Sequence, residues 1–277
     1  MRQLTSLDAQ FLALESARQT GHVGGVAILD PTTAPGGEIS AARIQEVISA
    51  RLPLLPPLRW RLAEVPLGLD HPYWIDDADF DIEYHVRETA LPPPGDEAQL
   101  AEQVARICAR PLDRSRPLWE IYLIHGLADG HVAMLTKIHH AVIDGMSGAE
   151  IMGLLLDLSP DGRELPDTED EYRGERPPGE LEMFARGLMA VPRYPLRALR
   201  ALPHAMPNIE STPFATLPGA GLIGRLAGEV QHVVLRENGG PARANLVAPK
   251  TSFNGRVSPH RRFVFGRMPL DEVKAVK

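Results

Sequence analysis

"PLWEIYLIHGLADGHVAMLTKIHHAVIDG", Pro117–Gly145, sets two runs of strand-forming residues around Asp129-Gly130 and ends on a pair of histidines. Asp-Gly between β-branched and aromatic runs is a strong turn signal, so the stretch predicts an antiparallel hairpin. Neighbouring side chains of a strand point to opposite faces. With 131–140 extended, His140 shares a face with Met134, Thr136 and Ile138, while His139 lies with Leu135 and Lys137. Only one histidine can then face a given cavity. Adjacent strand histidines chelate one ion poorly, and no nearby Cys or third His completes a first shell. Neither a metal nor a bound cofactor is expected.

Outward from the hairpin, the pattern alternates strands with helices. Downstream, "SGAEIMGLLLDLSP" reads as a helix with a capping box at Ser147 and Glu150, a buried stripe at Ile151, Leu154, Leu155 and Leu158, and Pro160 just past its end. Upstream, "PPPGDEAQLAEQVARICAR" predicts a helix capped by Asp96 with Gln99 three residues on, its apolar face carrying Leu100, Val104, Ile107 and Cys108. Nearer the start, "TSLDAQFLALES" carries Thr5 and Asp8 at capping-box spacing, and "ISAARIQEVISARL" is capped near Ser40. Strands are predicted at "HVGGVAILD", "LRWRLAEV", "HPYWIDD" and "FDIEYHVRE". Such alternation, with an antiparallel hairpin inside it, specifies an α/β chain with a mixed sheet layered with helices.

The chain has 277 residues, 44% of them hydrophobic, and a formal net charge of −7. That is enough for a sizeable core, and the net charge gives no sign of nucleic-acid binding, which normally needs a basic face. A single cysteine, Cys108, excludes an internal disulfide. "MRQLTSLDAQFLALES" is not a secretory signal, and no apolar run approaches the roughly 18 residues of a membrane span. A cytoplasmic protein is expected, with contact at the inner membrane face or a lipid droplet as a further expectation. Residues 1–158 form the motif-bearing subdomain. An acidic, Gly- and Pro-rich stretch at 159–180 reads as an exposed linker. The segment 181–248 opens with "LEMFARGLMAVPRYPLRALRALPHAMP", apolar with arginines at 186, 193, 197 and 200. It reads either as a broken helix packed on the domain or as a lipid-surface contact. In 249–277, "RRFVFGRM" reads as a strand and "PLDEVKAVK" as a helix stopped after about two turns.

Two adjacent histidines can simply pack at a strand end. Their position, at a strand-to-loop transition ahead of a capped helix, suits chemistry. A neutral imidazole near pH 7 can take a proton from a hydroxyl and return it to a leaving group. No Gly-x-Ser-x-Gly elbow is present and Cys108 falls within a helix stripe, so a covalent nucleophile has no strong candidate. Direct transfer with a histidine base remains.

"HHAVIDG" resembles the HHxxxDG motif of the CoA-dependent acyltransferase superfamily, which includes chloramphenicol acetyltransferases and peptide-synthetase condensation domains. "LTSLDAQFLALES", "GHVGGVAILD", "PLDRSRPLWE" and "TSFNGRVSPHRRF", in that order, resemble the bacterial wax ester synthase/diacylglycerol acyltransferase family of triacylglycerol synthase type. The resemblance implies transfer of a fatty acyl group from acyl-CoA to diacylglycerol, and to long-chain alcohols. It implies His140 as general base, His139 as its support, and Asp144 as a structural residue held by an arginine, with Arg116, Arg261 and Arg262 as candidates. Gly145 permits the turn. Pro117, Leu118 and Trp119 wall the acyl channel, though Trp119 reads equally as core, and Asn254-Gly255 forms a turn. The helix capped at Ser147 offers amides to developing charge. The fold implied is the N-terminal half of a two-subdomain, chloramphenicol-acetyltransferase-like architecture. The family's downstream Asn-Asp motif is absent, so a C-terminal half, in the same protein or as a separate chain, is an expected partner. Two other readings stand: acyl transfer to another complex lipid or a polyketide acceptor, and a non-catalytic lipid-binding half-domain.

Overall fold

The computed structural model describes residues 1–16, 18–143, 148–157, 159, 164–165, 174–190, 258 and 260–276. In chain order its elements are β1 (Arg2–Gln3), α1 (Ser6–Ala13), β2 (His22–Leu29), α2 (Ala41–Arg51), β3 (Trp60–Ala63), β4 (Tyr73–Asp76), the single turn α3 (Ile82–His85) and β5 (Val86–Ala90). Then come α4 (Glu97–Cys108), β6 (Trp119–His125), β7 (Val132–His139), the single turn α5 (His140–Ile143), α6 (Gly148–Leu155), α7 (Glu180–Ala190) and α8 (Leu270–Ala275). The chain divides into two units, Met1–Ala185 with Val257–Lys277, and Arg186–Arg256. Of the second, only 186–190 and the end of α7 they form are described. The division at Ala185 differs from the expected boundaries at 158 and 248, and residues from Val257 onward group with the first unit.

The predicted hairpin is the centre of a mixed sheet of order β2-β7-β6-β5, in which only β5 and β6 run parallel. Asp129-Gly130 lies in a longer loop than a two-residue hairpin turn. Gly130 donates its N–H to Leu127 O at 2.9 Å with φ at +77°, a left-handed conformation that suits glycine. β7 is buried along its whole length. Val132, Met134 and Ile138 face one core with Trp119, Ile121 and Leu123 of β6, Leu12 of α1, Ile48 of α2 and Ile151 of α6. Ala133 and Leu135 face a second core with Leu100, Val104 and Ile107 of α4. Each large apolar side chain removed from water this way contributes roughly 1.5–3 kcal/mol, so the strand carrying the histidines sits where the molecule is best anchored. A smaller antiparallel sheet, β1-β4-β3, flanks the first core through Leu62 and Trp74.

The caps form as the sequence predicts. Asp8 N–H donates to Thr5 Oγ1 at 3.1 Å and Thr5 N–H to Asp8 Oδ2 at 3.3 Å. Gln99 N–H donates to Asp96 Oδ1 at 2.8 Å, and Ser40 caps α2. At the other end of α4 the sheet supplies the partners. Lys137 Nζ, wholly buried, donates to Arg110 O at 2.6 Å and lies 3.4 Å from Glu120 Oε2, while His22 Nε2 lies 2.9 Å from Cys108 O.

Four expectations change. "FDIEYHVRE" is not one strand: Asp81 accepts from the Glu83 and Tyr84 amides at 3.0 and 3.3 Å and starts the turn α3, so the strand begins at Val86. β7 ends at His139, and His140 already belongs to a helical turn. "RRFVFGRM" is extended but joins no ladder; Phe263 and Phe265 pack on the second core while Val264 is 88% exposed. The linker is tethered at Glu175, whose N–H donates to Asp76 O at 3.0 Å and whose carboxylate meets the N-terminal amine at 2.7 Å. Ser147, Leu158 and Arg193, Arg197 and Arg200 lie outside the described residues.

Candidate functional site

At the end of β7 the backbone itself places the two histidines. His139 donates its N–H to Leu118 O at 2.9 Å, and His140 donates its N–H to Gly21 O at 2.8 Å. The chain then turns helical, so the two rings diverge. His139 is 1% exposed. Its Nδ1 accepts the Ala141 N–H at 3.1 Å, which puts the proton of a neutral ring on Nε2. That nitrogen lies 3.2 Å from Glu15 Oε1, out of line with a well-formed hydrogen bond. His140 is half-buried, and its ring stacks on Phe11 of α1 with centroids 4.1 Å apart and planes at 22°. Its Nδ1 is buried and has no hydrogen-bond partner among the described residues.

Glu15 gathers this end of the strand. Its Oε1 accepts the Gly21 N–H at 2.7 Å, and its Oε2 accepts from Arg114 Nη2 at 2.9 Å. Arg114 also donates to Leu12 O at 2.6 Å. Burial pushes the Glu15 carboxyl up, but the nearby His139 ring and the bonds from Gly21 and Arg114 outweigh it and hold the group at about 2. Gly21 must be small: a Cβ there would lie 2.6 Å from His139 Nε2. Nothing local in the sequence points to Glu15, Gly21, Phe11 or Arg114. Most of their contacts are long-range, Arg114 to Glu15 spanning 99 positions, although all four residues lie inside the quoted blocks "LTSLDAQFLALES", "GHVGGVAILD" and "PLDRSRPLWE".

The remaining candidates divide clearly. Pro117, Leu118 and Trp119 are all buried. Trp119 is in the first core, its indole N–H donating to Leu58 O at 2.7 Å and its ring stacked 4.4 Å from His85. The block reaches the histidines through the ladder: Leu118 O holds His139 N–H and Trp119 pairs with Ile138. Asp144 and Gly145 lie outside the described residues, as do Asn254 and Gly255. Of the arginines proposed for Asp144, Arg116 sits over the Tyr84 ring at 4.1 Å and 4.0 Å from Asp81, and Arg261 donates to Arg18 O at 2.7 Å. Among the described residues no group of His, Cys, Asp and Glu could hold a metal, and no helix is long and apolar enough to cross a membrane.

Residues 4–277 match the family model of the wax ester synthase/diacylglycerol acyltransferase catalytic domain. The chain belongs to this family. Within it, the chain is 36% identical over 275 residues to a probable diacylglycerol O-acyltransferase, tgs3, of Mycobacterium tuberculosis, covering 99% of this chain and 95% of that protein. It is 33% identical over 278 residues to the putative diacylglycerol O-acyltransferase Rv1760 of the same organism, covering 100% of this chain and 50% of the relative. A solved family member, the wax ester synthase/diacylglycerol acyltransferase of Marinobacter aquaeolei VT8, superposes with a TM-score of 0.50 at 34% identity, over 60% of this chain and 40% of that one. The mixed α/β architecture expected from the sequence is thus that of a wax ester synthase/diacylglycerol acyltransferase.

Proposed function

We propose that this chain transfers a fatty acyl group from acyl-CoA to diacylglycerol, and also to long-chain alcohols, with His140 as the general base. The observation that carries the reading is the half-buried His140 ring, held against Phe11 with an Nδ1 that has no partner among the described residues, while the His139 ring is buried, its Nδ1 taken by Ala141 N–H and its Nε2 facing Glu15. The family and the names of the matched relatives support the substrate class. In the reaction, His140 takes the proton of the acceptor hydroxyl as its oxygen bonds to the thioester carbonyl carbon. Collapse breaks the C–S bond, and the imidazolium returns the proton to the CoA thiolate. Acyl-CoA is a co-substrate, and no further cofactor enters the scheme.

The reading extends to two partners. A second sheet-containing unit, in the same polypeptide or a separate chain, closes the site; exposed Val264, Met268 and Leu270 support such a surface. The stretch 182–202 meets a membrane or lipid-droplet surface, and exposed Leu188 and Met189 support it. The test is a competition: radiolabelled acyl-CoA is offered diacylglycerol and hexadecanol together, and the products are separated by thin-layer chromatography. Labelled triacylglycerol, with lesser wax ester, is expected. Label appearing only in a polyketide diol supplied in parallel would overturn the acceptor class.

A further inference from the structure

We propose that Glu15 is the positioning residue of the histidine pair, its carboxylate facing His139 Nε2 at 3.2 Å and reaching His140 through Gly21, with Arg114 as its counter-ion. The inference rests on the reading of His140 as the base. Glu15 lies two residues past the end of α1, the helix whose Phe11 stacks on His140, so the short stretch from Phe11 to Glu15 meets both rings. The carboxylate also reaches His140 through the backbone: Gly21 gives its N–H to Glu15, and its carbonyl takes the N–H of His140. Release of Glu15 therefore unties the Gly21 amide, whose residue's carbonyl holds the His140 amide, and removes the carboxylate that faces His139 Nε2.

A surface ion pair that merely closes a loop would be worth little, and Arg114 is 40% exposed. Glu15 is different. Its side chain is 11% exposed, and every group facing its oxygens is a donor: the Gly21 amide, the Arg114 guanidinium and the His139 ring. Only an acceptor-only side chain satisfies all three. A glutamine of the same shape must turn its NH₂ toward Arg114 or toward Gly21 and His139, so either flip sets donor against donor. The pair also divides the roles of the histidines. With Nδ1 accepting from Ala141 and Nε2–H facing Glu15, His139 has no free lone pair for an incoming proton. That leaves His140 with the chemistry.

The test uses the whole chain labelled with ¹⁵N-histidine. Long-range ¹H–¹⁵N correlations assign the tautomer of each ring in the wild type, Glu15→Gln, Glu15→Asp and Gly21→Ala. Wild type is expected to show His139 with its proton on Nε2. Glu15→Gln should mix or invert that tautomer with circular dichroism unchanged, Glu15→Asp should restore it in part, and Gly21→Ala should shift the same ring. In acyl transfer, Glu15→Gln should lower kcat between about 10- and 100-fold with KM for acyl-CoA unchanged, the range a small misplacement produces. A wild-type tautomer in Glu15→Gln overturns the proposal, with or without turnover, and so does a wild-type rate. If Glu15→Gln does not fold, Glu15→Asp and Gly21→Ala decide by the same spectra. Loss of activity in His140→Ala beside a wild-type Glu15→Gln would sink this inference alone; full activity in His140→Ala would sink the base reading whatever Glu15 does.

Discussion

His139 and His140 are adjacent in sequence and have opposite surroundings. One ring is buried, its Nδ1 taken by the Ala141 amide and its Nε2 facing Glu15; the other is half-buried and stacks on Phe11, its Nδ1 without a partner among the described residues. His140→Ala is therefore expected to lower turnover by about 10² to 10⁴ with the fold intact, the range general-base catalysis supplies. His139→Ala should cost less, and its loss should appear in thermal stability as well as in rate. The reverse order of rate losses would exchange the two roles. Asp144, for which the family resemblance implies a structural role beside an arginine, gives a companion expectation. Asp144→Asn should lower the melting temperature along with activity, since breaking a buried ion pair commonly costs several kcal/mol. An unchanged melting temperature with activity lost would give Asp144 a direct part in the chemistry.

Lys137 shows what the elements ask of the sequence. Its ammonium, buried in the sheet, donates to the Ile107 carbonyl in the last turn of α4 and to the Arg110 carbonyl just past it, and faces Glu120. Burial pulls its pKa down and Glu120 pulls it back up. Lys137→Met alone should cost several kcal/mol in urea unfolding because Glu120 is left buried beside an apolar side chain, whereas Lys137→Met with Glu120→Leu should recover much of it. Equal losses in the single and double variants would contradict the coupling. Local rules made the caps and the hairpin legible, because Thr5 with Asp8, Asp96 with Gln99, and Asp129-Gly130 each interact within a few residues. Face alternation also placed His139 with Leu135 and Lys137, on the side of the sheet that Lys137 and α4 share. What escaped was long-range. The strand ends one residue early because the chain turns helical at His140, whose N–H is held by the Gly21 carbonyl far upstream, and Arg114, which meets Glu15 across 99 positions, leaves no local signal. At the basic stretch, Arg193, Arg197 and Arg200 changed together to Glu should abolish co-sedimentation with anionic liposomes. Undiminished binding by that variant would remove the lipid contact.

For the whole molecule, acid is expected to act through buried imidazoles first. Burial, with Lys137 nearby, lowers His22 from 6.5 to about 4, and burial lowers His85 likewise to about 4. Both are neutral when folded and take up a proton on unfolding below 6.5, so the unfolded chain binds more protons between pH 6.5 and 4 and stability falls with pH in that window. Glu15, lowered from 4.5 to about 2, adds a second loss as pH falls through 4.5 toward 2. The urea midpoint should decline across both windows; a flat midpoint from 6.5 to 4 would mean that His22 and His85 are not buried neutral. The central claim is that one imidazole at the end of β7 moves the proton of acyl transfer. It is tested most directly by pre-steady-state transfer from radiolabelled acyl-CoA to diacylglycerol, comparing wild type with His140→Ala at saturating substrate. The account predicts labelled triacylglycerol from the wild type and a chemical step slowed by about 10² or more in the variant. Equal rates of triacylglycerol formation by the two proteins would contradict it.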